Sequence, residues 1–104
     1  MQVAGILKNN NLYIRLDGEL DECTSLEARS KCDRLIETNL NVRAIIINLA
    51  GVRFMDSTGI GFLIGRYKKA TRHGIKLYVE KPNLAAAKVL KLSGIYSLIS
   101  KVDN

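Results

Sequence analysis

The 104-residue chain has no tryptophan, one proline, one histidine and two cysteines. Two cysteines make no disulfide framework. Cys23 and Cys32 lie nine residues apart, about half a turn out of phase on a helix, so they face away from each other and fit free thiols in a reducing compartment. With no Cys-x-x-Cys pair and His73 alone, a structural zinc site has no ligand set. No apolar run approaches the length of a membrane span. The opening residues Met1-Gln2-Val3-Ala4-Gly5 have neither the basic nor the apolar region of a signal peptide, so cytoplasmic residence without membrane contact is expected.

What is present fits one ordinary domain. A hydrophobic share of 47% with 25% charged residues is enough for a single core, and the length leaves nothing for a second, so residues 1–104 are expected to form one unit. The net charge of +6 is unevenly placed: residues 1–52 carry 6 basic and 7 acidic side chains, residues 53–104 carry 10 and 3. Such asymmetry can mark nucleic-acid binding. Here the basic residues are not interleaved with stacking aromatics, so a solvated helix face is the preferred reading and no direct nucleic-acid partner is expected.

In chain order, Gln2–Lys8 and residues 12–17 read as strands joined by Asn9-Asn10-Asn11, residues that tolerate the left-handed backbone of a tight hairpin. Gly18-Glu19-Leu20-Asp21 reads as a loop. Thr24 with Glu27 three residues on predicts a capping box opening a first helix, with Ala28, Cys32, Leu35, Ile36 and Leu40 as its buried stripe. Residues 43–49 carry an unbroken apolar run, a strand buried on both faces. A second helix, from about Ser57 to Arg72, buries Ile60, Leu63, Ile64 and Tyr67, which places Phe62, Arg66, Lys69 and His73 on its opposite face. Gly74 would end that helix, and 75–79 form a fourth strand. Asn83 caps a third helix that carries its apolar positions from Leu84 to Leu92, and 95–100 make a short last helix packing Leu98 or Ile99 inward. The fold class is α/β: a small mixed sheet of about four strands, an N-terminal hairpin and then parallel strands, with helices packed on it.

The chain is organised around Asp56-Ser57-Thr58-Gly59, the hinge between the core strand and the second helix. Backbone N–H groups at such a helix start lack intrahelical partners and the macrodipole is positive. Enzyme motifs are not met. A nucleophile elbow needs glycine two residues before the serine, where this chain has Met55, and His73 lies about four helical turns away from any such nucleophile. Gly59, Gly61 and Gly65 fit neither a Walker A loop nor the Gly-x-Gly-x-x-Gly spacing, and suit a close approach of helix to sheet. Lys8-Asn9-Asn10 does not supply the acidic cluster of a phosphoaspartate receiver. Ser57 is then either an N-cap, which would stabilise the fold by about 1 kcal/mol, or a functional hydroxyl; Asp56 could cap equally well.

The pattern Asn48-Leu49, Phe54-Met55-Asp56-Ser57-Thr58-Gly59-Ile60-Gly61 and Gly65-Arg66-Tyr67-Lys68 closely resembles the anti-sigma factor antagonists of the STAS (sulphate transporter and anti-sigma factor antagonist) family. Gly18-Glu19-Leu20-Asp21 and Ser93-Gly94-Ile95 match that family too, and the likeness spans essentially the whole chain. It implies a STAS fold and a non-enzymatic, cofactor-free switch in transcription regulation. In this family the first hydroxyl of the motif, here Ser57, is phosphorylated by a partner that is both anti-sigma factor and serine kinase, with a histidine-kinase-like ATPase fold. The unphosphorylated form binds that partner and frees the sigma factor, and a phosphatase of the PP2C type resets the phosphorylated form. Sporulation members carry a second serine where this chain has Thr58. The expected partner surface comprises Gly18, Glu19, Asp21, Asp56, Ser57, Thr58, Gly59 and Arg66. The alternative is a phospho-independent STAS module that scaffolds or senses a small ligand.

Overall fold

Asn9 and Asn10 both take left-handed backbone, φ 53° and 65°, and close β1 (Gln2–Lys8) onto β2 (Asn11–Leu20) as a two-residue hairpin. The computed structural model describes residues 1–102. After the hairpin come α1 (Ser25–Glu37), β3 (Ala44–Met55), α2 (Ser57–Arg72), β4 (Lys76–Glu80), α3 (Leu84–Ser93), a single 3-10 turn at Ile95–Ser97, and β5 (Ser100–Val102). The strands form one five-stranded sheet in the order β1-β2-β3-β4-β5, with β1 antiparallel to β2 and every later pair parallel. This is the mixed α/β sheet expected, with five strands rather than about four. Among the described residues no helix is long and apolar enough to cross a membrane.

Alternation along the strands sorts their side chains. Leu12, Ile14 and Leu16 of β2, Ile45, Ile47 and Leu49 of β3, and Leu77 and Val79 of β4 join one buried cluster with Ala28, Cys32 and Ile36 of α1, Phe62, Leu63 and Ala70 of α2, and Ala86 and Leu90 of α3. Each large aliphatic side chain buried there contributes roughly 1.5–3 kcal/mol, so the sheet and helices are held chiefly by this one layer.

Several boundaries differ from the sequence expectation. Both β2 and β3 run further than their apolar runs, to Leu20 and Met55, because they stay paired through two irregularities in register. Arg15 pairs with Asn48 but Asp17 with Gly51, and Gly18 pairs with Val52 but Glu19 with Phe54, so β3 carries an extra residue each time. The second bulge leaves Arg53 and Phe54 exposed in succession, which breaks the period-2 signal. Residues 18–20, read as loop, are therefore strand. In α1, Leu35 is half-buried and Leu40 lies beyond the helix and is exposed. The expected last helix is only the 3-10 turn. Ile99 is buried, Leu98 is exposed, and the chain then adds β5 at the sheet edge beside β4.

Candidate functional site

The hinge contracts to one residue, Asp56, between β3 and α2. Its backbone is extended, and its carboxylate accepts a hydrogen bond from the Thr58 N–H at 2.9 Å. Asp56 is thus the N-cap, and Ser57 is the first helical residue. The Ser57 side chain is exposed and makes no hydrogen bond among the described residues. Thr58 is half-buried, and Gly59 is buried against the strand ends. A Cβ at Gly59 would stand 2.5 Å from Met55 Cγ and 3.3 Å from Leu20 Cδ2, so only glycine lets the first turn of α2 sit this close to β2 and β3.

The carboxyl end of β2 meets this hinge. Leu20 pairs with Met55, and the Asp56 N–H reaches the Leu20 carbonyl at 3.4 Å. Glu19 is exposed, next to the exposed Phe54 in register. Gly18 is buried at φ +127° at the second bulge, a conformation that L side chains rarely adopt. Its place is to turn the strand, and the residues beyond it carry the exposed surface. Asp21 accepts from the N–H groups of Cys23 (2.9 Å) and Thr24 (3.1 Å) through Oδ1. The capping box expected at Thr24 is not formed. Thr24 makes no side-chain cap bond to α1; its hydroxyl donates to the Glu19 carbonyl at 2.7 Å, and Asp21 organises the turn instead. Gly18, Glu19 and Asp21 are thereby brought to the same sheet edge as Asp56, Ser57, Thr58 and Gly59.

Arg66 is not on an outer face. It is 4% exposed, as is Phe62 at 5%, because α1 packs on the side of α2 that the apolar stripe left unassigned. Arg66 Nε stands 2.8 Å from Asp33 Oδ1 without the alignment of a hydrogen bond, so the contact is an ion pair, and the guanidinium lies 5.2 Å from the Phe62 ring centroid. Burial pulls the Arg66 guanidinium down from the ordinary arginine value, and Asp33 works against that pull. Lys69 and Glu37 form a second bridge between α2 and α1 at 2.6 Å. Asp33 and Glu37 had no sequence signal for these roles, since a partner 32 or 33 residues away is fixed only by helix packing. The Asp17 carboxyl is held below its ordinary value first by the Arg15 hydrogen bond and also by the charge of Arg53, three residues before the hinge.

On the α3 side, Asn83 accepts from the Ala86 N–H at 3.1 Å, the expected cap, and its amide also donates to the Val52 carbonyl. That second bond ties α3 to β3 just before the hinge. Leu84 beside it is 91% exposed and Phe54, two residues before the hinge, is 48% exposed, so both carry apolar surface that no core demands.

A STAS domain family model matches residues 4–104. The chain is 34% identical over 93 residues to an anti-sigma F factor antagonist of Paenibacillus polymyxa, covering 89% of this chain and 79% of that protein. It is 28% identical over 90 residues to an anti-sigma-B factor antagonist of Bacillus subtilis, covering 86% and 80%. Its fold matches the anti-sigma factor antagonist SpoIIAA in its unphosphorylated form, with TM-score 0.76 at 27% identity, over 99% of this chain and 88% of that one. SpoIIAA of Bacillus in the phosphorylated form matches with TM-score 0.67 at 27% identity, over 99% and 91%. With the fold, the hinge motif and these relatives in agreement, the chain belongs to the STAS-domain family of anti-sigma factor antagonists.

Proposed function

We propose that this protein is an anti-sigma factor antagonist that works as a phosphoserine switch. Its unphosphorylated form binds an anti-sigma factor that is also a serine kinase of histidine-kinase-like fold, and so frees a sigma factor in the cytoplasm. Phosphorylation of Ser57 by that kinase ends the binding, and a PP2C-type phosphatase restores it. The observation that carries this reading is the state of Ser57: exposed, in the first turn of α2, and relieved of capping by Asp56. SpoIIAA, a relative by fold and by 27% identity, exists in both unphosphorylated and phosphorylated forms.

The physical chemistry is compatible with such a switch. A phosphate adds about −1.5 to −2 charges and three acceptor oxygens. At a helix N-terminus the dipole favours it by about 0.3–1 kcal/mol, so the fold survives modification. Binding does not, because a dianion then occupies a surface the partner must desolvate. A loss of about 3–4 kcal/mol there weakens the complex several hundredfold.

The test is phosphosite mapping by mass spectrometry after incubation with the cognate anti-sigma kinase and ATP, with Ser57→Ala and Thr58→Ala alongside. One phosphate, absent only in Ser57→Ala, is the expected result. Ser57→Asp should then weaken kinase binding and Ser57→Ala retain it. An active kinase that modifies no variant would leave a STAS module working without phosphorylation.

A further inference from the structure

We propose that the cleft between α1 and α2 is a docking channel for an acidic segment of the protein partner; the inference rests on the partner-binding function above and adds a second contact to it. The cleft has a volume of about 530 Å³ and opens beside Thr58. Five cations border it, Arg29, Arg66, Lys68, Lys69 and Arg72, against the single carboxylate of Asp33. Asp33 is shared between Arg66 at 2.8 Å and Arg29 at 3.7 Å, and Glu37 occupies Lys69. Lys68 and Arg72 have no ion pair among the described residues. The channel therefore holds uncompensated positive charge between two helices and reaches Thr58 beside the hinge.

Arg66 makes this a built site. Its side chain is only 5% exposed and pinned against Phe62, the residue lines the cleft, and its guanidinium donates no hydrogen bond to any group among the described residues. A guanidinium held in fixed geometry with hydrogen-bond donors unused calls for an acceptor, and its planar fork suits a carboxylate. Room for a backbone is present too. A Cβ placed on Gly61 or Gly65, one helical turn apart on α2, would meet nothing within 4 Å. Facing them on α1, Leu26 is 74% exposed and offers an apolar anchor. Carboxylates beside an apolar residue match these walls. A nucleic acid matches them less well, because the only aromatic ring bordering the cleft, Phe62, is too buried to stack a base. Thr58 belongs to both the hinge and the channel, so a phosphate on Ser57 sits one residue away. Its charge repels an acidic segment and competes for the same cations.

The experiment measures the affinity of the full chain for its cognate anti-sigma kinase by calorimetry at two salt concentrations. Wild type is compared with Lys68→Glu/Arg72→Glu in the channel and Lys88→Glu/Lys91→Glu on α3, which makes the same change in net charge away from the cleft. All four side chains are exposed, and circular dichroism checks the fold. The channel pair should weaken binding about tenfold or more and flatten its salt dependence, while the α3 pair stays within about threefold. The milder Lys68→Gln/Arg72→Gln should fall between them. Equal effects from both reversed pairs, or none from the channel pair, would overturn the channel. Wild type that binds the kinase but is indifferent to Ser57→Asp would refute the switch and leave the channel standing. A wild-type protein that fails to bind the kinase would refute both. Duplex DNA binding abolished by the channel pair, with kinase affinity unchanged, would assign the cleft to nucleic acid and overturn the proposal.

Discussion

Removing Asp33 should harm this protein far more than removing the charge it pairs with. The Arg66 side chain is 5% exposed and that of Asp33 20%, and at 2.8 Å their gross attraction is about 6 kcal/mol at an effective dielectric near 20. Most of that offsets the desolvation of Arg66. Asp33→Ala leaves the guanidinium buried with no counter-ion, a change that costs about 3–5 kcal/mol when the site is dry. Here Arg66 lines an open cleft that admits water, so the expected loss is about 2–3 kcal/mol, or a fall of about 10 °C in melting temperature for a chain of this size. Arg66→Met keeps the volume against Phe62 and leaves Asp33 with Arg29, 3.7 Å away, so it should cost under about 1 kcal/mol. Urea unfolding followed by circular dichroism separates the two. If Asp33→Ala lay within 1 kcal/mol of wild type, or Arg66→Met fell as far as Asp33→Ala, the buried-pair account would be refuted.

Gly59→Ala should destabilise by about 1 kcal/mol, the overpacking against Met55 and Leu20 exceeding the gain in helix propensity; chemical shifts of those two residues report the displacement. Asn83→Ala removes both the α3 cap and the bond to the Val52 carbonyl, an expected loss of about 1–2 kcal/mol in the same unfolding assay. Of the two thiols, Cys23 is exposed, whereas Cys32 is buried, and that burial pushes its pKa up to about 12. Iodoacetamide at pH 8 should label Cys23 in the native protein and Cys32 only in urea; rapid native labelling of Cys32 would show that α1 opens locally.

What could be read from the chain alone was local. Asn9-Asn10 marked a turn because few other residues hold two left-handed conformations in succession. Asn83 marked the start of α3 because a cap is a short-range requirement. The apolar run through Ile45, Ile46 and Ile47 marked a strand inside the sheet, and the Asp-Ser-Thr-Gly hinge stood out at its far end. In each case the signal and the structure it specifies lie within a few residues of each other.

Tertiary structure decided the rest. The bulges in β3 depend on pairing with β2, and they erased the alternation that would have extended the strand to Met55. β5 is three residues long and becomes a strand only because β4 offers an open edge. Thr24 had the spacing of a cap, but the competing bond to the Glu19 carbonyl exists only once β2 has been placed. Ser57 and Asp56 were equivalent candidates until the extended backbone at Asp56 made it the cap and left the serine hydroxyl unengaged. For Arg66, periodicity located one buried stripe on α2, yet a helix that touches both a sheet and another helix buries two. A charged residue enters the second only when the neighbouring helix supplies its carboxylate, and that pairing across 33 residues is set by packing rather than by any local pattern.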